Sequence, residues 1–334
     1  MTFGLGTFSA EGSPPFPGIV MGTRVIRLSD LAEGERAGFA APDSMLQFIE
    51  GWDSNFAALN SIVASGGPRG AKAINLGACR VHLPWRPRQI FCSGANYRKH
   101  VIDLIVDRGS GNLQHLDKDQ RLAHAIALMD ERERSGKPFV FTALPTALAG
   151  ATDDLVLPYE MQEPDWELEL AVVVAKPARR VPVERALEHV AGYTIANDIS
   201  ARDFAERPDV KGMGLDWLAS KSAPGFKIIG PFITPAAFAS PPDRMRICLK
   251  LNGRTMQDEA TSDMIFPVER LVSYISHCAQ LLPGDIILTG SPAGNGTHYQ
   301  RFLRHGDVMD GAIEGLIGTQ HVRCVLEEQA IESE

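Results

Sequence analysis

The stretch Asp165-Trp-Glu-Leu-Glu-Leu-Ala-Val-Val-Val174 decides how the rest of the chain is read. Its branched aliphatic run predicts a β-strand over Leu168–Val174, because valine packs well on a pleated surface. In a strand, residues two apart point to the same face. Glu167 and Glu169 therefore project together, while Leu168, Leu170, Val172 and Val174 face the other way. Two neighbouring carboxylates repel, and each resists burial. A hard divalent cation such as Mg²⁺, Mn²⁺ or Ca²⁺ removes both difficulties, since it prefers carboxylate oxygens. The competing reading is a strand whose polar face meets water, and the motif alone leaves both open.

Outward from this stretch, short β-type runs separated by Gly and Pro fill the chain from Phe139 onward. They include Leu155–Leu157, Gly192–Ala196, Phe226–Ile233, Arg246–Leu251, Asp285–Thr289 and Val322–Leu326. Helical patterns interrupt them at Val183–Val190 and Pro267–Leu281. Without regular strand–helix alternation, a doubly wound nucleotide-binding sheet is disfavoured, and a β-rich α/β mixture is expected.

Upstream, Gly18–Ile26 reads as two short strands around a Gly turn, and Leu46, Ile49, Phe56, Leu59 and Val63 recur at mostly helical intervals. Pro84 and Pro87 set a boundary near residue 86. The expected organisation is a small N-terminal α+β domain over 1–86 and a larger domain over 87–334. A charged, helix-prone insert occupies 104–137, with Leu122, Ile126 and Met129 on one face. It reads equally as a surface hairpin or as a lid.

Composition narrows the function classes. Of 334 residues, 44% are apolar and 22% charged, enough for a sizeable core. The formal charge of −8, from 33 basic and 41 acidic residues, argues against broad nucleic-acid binding. No apolar stretch approaches the ~20 residues of a membrane helix. Met1–Gly22 has no basic residue ahead of an apolar run, so no secretory signal is expected. Five scattered cysteines without a CxxC pair read as reduced thiols. A soluble cytoplasmic protein is expected.

Further candidates for chemistry lie in separate segments. An apolar strand runs into Asn197-Asp198, a strand end where a scaffold fixes polar groups rigidly, although Asn-Asp also marks turns. Lys221 sits between apolar residues, where a lysine either neutralises an anionic substrate or snorkels to the surface. Leu288–Gly296 lacks the order of a phosphate loop and reads as a tight loop whose Ser291 hydroxyl approaches a ligand. His100, with Asp103 three residues on, makes a candidate general base if the segment is helical. No GxSxG elbow accompanies it.

Taken in order, six motifs resemble those of the fumarylacetoacetate hydrolase family: Asn96-Tyr97 to His100, Asp165 to Val174, Gly192 to Asp203, Lys221-Ser222, Leu251-Asn-Gly253, and Pro283 to Gly294. The resemblance covers about 88–328 and implies a β-roll catalytic domain, with 1–85 resembling the small N-terminal domain of longer members. It also implies a homodimer holding Mg²⁺ or Mn²⁺, with Ca²⁺ as a third candidate. Glu167, Glu169 and Asp198 match the metal ligands, Lys221 the active-site lysine, and His100 the water-activating histidine. Asp103 stands where small members carry Glu, and Ser291 where they carry Thr. Tyr97, Arg202 and Ser291 are the matched substrate contacts.

Ala143 and Ala205 replace polar residues common in relatives, which implies a bulkier or less polar substrate. The resemblance implies hydrolysis of a C–C bond in a 1,3-diketone or acylpyruvate-like small molecule, through an enolate held at the metal, within aromatic compound catabolism. β-Keto-acid decarboxylation, or keto–enol or double-bond isomerisation, is the alternative on the same site. A non-enzymatic metal-binding scaffold is the remaining class, and it predicts no pocket near the carboxylates.

Overall fold

The computed structural model describes residues 1–30, 44–65, 72–108, 113–210 and 214–328. The strand expected from the opening motif forms over Leu168–Val174, and every residue in it is buried. Leu168, Leu170, Val172 and Val174 join one core cluster, while Ala171 and Val173 join another on the opposite face. Both faces are therefore covered, and Glu169 is the polar exception on the second. Such double burial explains the near-continuous apolar run.

This strand lies inside an eight-stranded sheet. It pairs antiparallel with Val190–Asp198 on one side and with Ile286–Leu288 on the other. Beyond Ile286–Leu288 come Ile90–Gly94 and the edge strand Phe139–Ala143. Beyond Val190–Asp198 come Lys227–Ile229 and Leu148–Gly150. Register sets the site: Glu169 lies opposite Ala196, and Asp198 opposite Lys227. Of the run expected over Phe226–Ile233 only Lys227–Ile229 is a strand, and a separate short strand, Thr234–Pro235, begins after it. Pro231 falls in the gap, and proline has no N–H for the ladder.

A second sheet of five strands carries Arg246–Leu251 and Val308–Ile313 at its centre. Its Ile247, Leu249, Met309 and Val322 share the cluster of Leu168 and Leu170. The N-terminal region builds a separate five-stranded sheet plus helices Met45–Glu50 and Trp52–Ala64. Ser44 caps the first helix by accepting from the Gln47 N–H. Phe3, Leu5, Ile19, Phe48 and Trp52 pack with Ala171, Val173, Ile286 and Leu288. The described residues of the N-terminal region thus cover this face of the eight-stranded sheet. The proline-containing connection is also tied down, since buried Trp85 donates its indole N–H to the Gly284 carbonyl at 2.7 Å.

Helices Arg98–Arg108 and Lys118–Ser135 form an antiparallel pair, the second opened by a capping box between Asp117 and Gln120. The stripe expected from Leu122, Ile126 and Met129 does not pack as a unit. Met129 is buried, but Leu122 and Ile126 stay 41% and 39% exposed. The buried positions are Ala125 and Met129, four apart, and Met129 packs with Phe266 and Leu271. Arg132 donates to the Ala95 carbonyl, Arg270 donates to the Glu133 carbonyl, and Arg98 pairs with Asp130. These anchors fix the C-terminal half of the second helix to the body of the protein. Amide exchange over 118–135 should therefore be equally slow with and without a non-cleavable substrate analogue; protection appearing only with the analogue would identify a closing lid. Residues 109–112 of the insert lie outside the described residues.

Candidate metal centre and its cavity

Glu169 projects from the Leu168–Val174 strand, Glu167 precedes it, and Asp198 ends the neighbouring strand. Glu167 is held in place by its own N–H, which donates to the Asn197 side chain at 2.9 Å. All three carboxylates are buried, and one oxygen of each falls within 4.8 Å of the others. The sequence set Glu167 and Glu169 on one face; antiparallel register with Val190–Asp198 brings Asp198 to them.

Cations surround this triad unevenly. Lys221 Nζ lies 2.7 Å from Glu167 and 2.6 Å from Asp198. Lys227 Nζ reaches the other Asp198 oxygen at 2.5 Å. Arg202 bridges Asp165 at 2.9 Å and Glu167 at 2.6 Å. Glu169 has only the Gly290 N–H, at 2.7 Å, and no ion pair among the described residues. The buried set is thus four carboxylates against three cations, counting Asp165.

The titration behaviour follows. Burial opposes ionisation of Glu167, but Lys221 and Arg202 outweigh it and hold the carboxyl below its ordinary range. Burial, together with Asp198 and Glu167, pushes Glu169 well above its ordinary value. Burial also disfavours the Lys221 ammonium, yet Asp198 and Glu167 reverse that and keep it firmly charged. Removing one partner of a buried pair leaves an uncompensated charge and costs about 3–5 kcal/mol. Lys221→Met should lose stability of that order by urea unfolding of the metal-free protein; a change below about 1 kcal/mol would contradict the pairing.

His100 lies in the helix Arg98–Arg108 and is buried beside the triad. Burial pushes its pKa down to about 4, with Arg202 and Lys221 adding to the fall and Glu167 opposing it. The imidazole is neutral at physiological pH and able to accept a proton. Because an unfolded histidine titrates near 6.5, His100 should cost stability as pH falls from about 6.5 towards 4. A nitrogen NMR titration should find its midpoint near 4; a midpoint above 6 would contradict the burial argument.

Asp103 is not hydrogen-bonded to His100 among the described residues. Both line a cavity of about 450 Å³ together with His298 and Asp107, which lie 3.6 Å apart. Burial raises the Asp103 pKa, and the nearby His298 partly counters this.

A larger cavity of about 800 Å³ joins the carboxylates, Lys221 and His100. Arg202 and Ser291 also line it. The Ser291 hydroxyl accepts from the Gln257 side chain at 3.0 Å and lies 3.1 Å from the Pro292 carbonyl, as its donor. Tyr97, expected as a substrate contact, does not reach the cavity. It is fully buried in the main core, one turn before His100, and its backbone bridges to Met264. Of the two alanines, Ala205 lines the cavity while Ala143 packs in the core shared with the N-terminal region. The Gly294 turn needs glycine: its φ is +96°, and a Cβ would meet the Met256 carbonyl at 2.1 Å.

Sequence reasoning missed several residues here. Lys227 is fully buried against Asp198, and a lysine in the apolar run Phe226–Ile229 was the available signal. Gln257 ties Ser291 to the Leu168 N–H and carried no local signal. Phe139, Phe141 and Trp217 form one wall of the cavity, and only the fold brings them together.

The chain is also similar to proteins already known. The family model for the fumarylacetoacetate hydrolase C-terminal domain matches residues 89–324. The Bos taurus protein named oxaloacetate tautomerase FAHD2A, mitochondrial, is 34% identical over 233 residues, covering 69% of this chain and 65% of that one. The match thus spans just under two thirds of that relative's length. Among solved structures, fumarylacetoacetate hydrolase from psychrophilic Exiguobacterium antarcticum superposes with a TM-score of 0.72 at 24% identity, covering 98% of this chain and 100% of that one. Maleylpyruvate hydrolase from Sphingobium sp. SYK-6, solved with manganese(II) and pyruvate, gives 0.71 at 22% identity, covering 97% and 100%. These two establish the fold.

Proposed function

The chain belongs to the fumarylacetoacetate hydrolase family, and from that membership we propose a divalent-metal-dependent enzyme that hydrolyses a C–C bond in an acylpyruvate-like or 1,3-diketone substrate. The observation that carries it is one cavity shared by three buried carboxylates, the Lys221 ammonium and the neutral His100. A bare scaffold has no use for that combination.

Glu167, Glu169 and Asp198 fit a divalent ion, preferably Mg²⁺ or Mn²⁺, because their donors are all carboxylate oxygens. The fit rests on Glu169, a buried carboxylate that the protein leaves without a counter-cation. Such an ion, when bound, supplies Lewis-acid polarisation of substrate oxygens. The chain's own groups do the rest. His100 takes a proton from water, whose oxygen bonds to the distal carbonyl carbon. The bond from that carbon to the methylene breaks, and its electron pair becomes the enolate of the departing 2-oxo acid. Lys221 stabilises that developing charge, a contribution of roughly 2.7–4 kcal/mol for one well-placed donor. Protonation of the methylene carbon completes a carboxylic acid and a 2-oxo acid, with one water consumed. Arg202 uses two of its nitrogens on Asp165 and Glu167, so it holds the ligand set in position while lining the substrate space.

A second reading keeps the enolate and omits water: keto–enol tautomerisation. The absent His100–Asp103 hydrogen bond favours it, as does the name of the Bos taurus relative. No helix among the described residues is long and apolar enough to cross a membrane. A cytoplasmic homodimer is the assembly we propose, the location resting on five free thiols. A panel of acylpyruvates, 1,3-diketones and β-keto acids, assayed with Mg²⁺ and Mn²⁺ and read by product mass, tests the reading. Two fragments summing to substrate plus water support it; unfragmented product or lost carbon dioxide contradicts it.

A further inference from the structure

The large cavity has two unlike halves. Its floor is charged, built from the triad and Lys221. Its wall is aromatic: Phe141 stacks on Trp217, with ring centroids 4.7 Å apart and planes 10° from parallel. Phe139 flanks that stack, 6.0 Å from the Trp217 ring. The two halves meet at Lys221, whose Nζ lies 5.5 Å from the Phe141 centroid and 5.9 Å from that of Trp217. A ligand bound by the floor therefore has an apolar surface within one ring's length.

The wall is not sealed core. Trp217 and Phe141 are only partly buried, and Phe139 is 48% exposed. Leaving large apolar faces around an open cavity is unfavourable unless something covers them, and contiguous exposed apolar surface marks binding sites. Ala205, whose carbonyl accepts from the Asp216 N–H at the start of the Trp217 helix, withholds bulk from the same cavity.

Resting on the 2-oxo-acid reading above, we infer that the substrate carries an aryl or comparably flat apolar group beyond its dioxo-acid head, seated on Trp217 and Phe141. Trp217 is then the specificity-determining residue. It sets which acyl group is accepted, while the floor sets the chemistry.

Binding of acids that cannot be cleaved tests this apart from turnover. With Mg²⁺ present, calorimetry compares 4-phenyl-2-oxobutanoate with 2-oxobutanoate, which share the head and differ in the ring. Wild type should prefer the phenyl acid by at least about tenfold, the scale on which an apolar pocket discriminates. Trp217→Ala should bring the ratio towards one, and Trp217→Phe should restore most of it. Phe141→Leu gives the same readout if Trp217→Ala does not fold. Equal affinities in wild type, or a ratio unchanged in Trp217→Ala, would overturn the inference alone. Failure of wild type to bind either acid would overturn the reading of the charged floor and the inference with it.

Discussion

Replacing Glu169 with alanine should abolish measurable divalent-ion binding and leave the fold intact. Glu169 is the triad member that carries no ion pair among the described residues, where its one hydrogen-bond partner is the Gly290 N–H. Glu167 and Asp198 are already paired with Lys221. Burial, Asp198 and Glu167 already oppose ionisation of Glu169 in the metal-free protein, so circular dichroism and urea unfolding should show no large loss of stability. Outer-shell changes typically cost 10–100-fold in metal affinity, and loss of a direct ligand should exceed that. Glu169→Gln, which keeps an acceptor for Gly290, should also lose most of the affinity. Calorimetric binding of Mn²⁺ unchanged in both variants would contradict the ligand set.

The second large effect concerns His100. If this neutral, buried imidazole activates water while Lys221 stabilises the enolate, His100→Ala should lose hydrolysis by roughly 10²–10⁴-fold, the range of general acid–base catalysis. Exchange of the substrate's acidic α-proton with deuterium should persist, since enolate formation does not use the attacking water. Retained hydrolysis would remove the water-activating role. Loss of both reactions together would favour tautomerisation, with His100 moving the carbon-bound proton. The separate variant Asp103→Asn should have little effect on either, because no hydrogen bond joins it to His100 among the described residues.

The parts of the site that were legible in sequence share a physical character: they depend on strand periodicity or on matching to family motifs. Glu167 and Glu169 share a face because a strand repeats every two residues, and the aliphatic run marked the strand's extent at Leu168–Val174. What escaped depends on tertiary pairing. Lys227 meets Asp198 only through the antiparallel register of their strands. Trp217 meets Phe141 only because a short helix docks on the edge strand Phe139–Ala143. Tyr97 shows a different limit of motif matching. A motif match placed it at the substrate, whereas its side chain lies in the core and the cavity is lined instead by its neighbours Ala95, His100 and Leu104. Helical periodicity failed similarly for Leu122 and Ile126, since an apolar stripe gives a face but not its partner.

The central claim is that this cavity adds water across a C–C bond. Its most direct measurement is turnover of an acylpyruvate in oxygen-18 water with Mg²⁺, products resolved by mass against a non-enzymatic exchange control. The account predicts a carboxylic acid carrying oxygen-18 from water, formed in equal amount with the 2-oxo acid and silenced reversibly by a chelator. Substrate consumed without fragmentation, or a released acid with no label above the control, would contradict it.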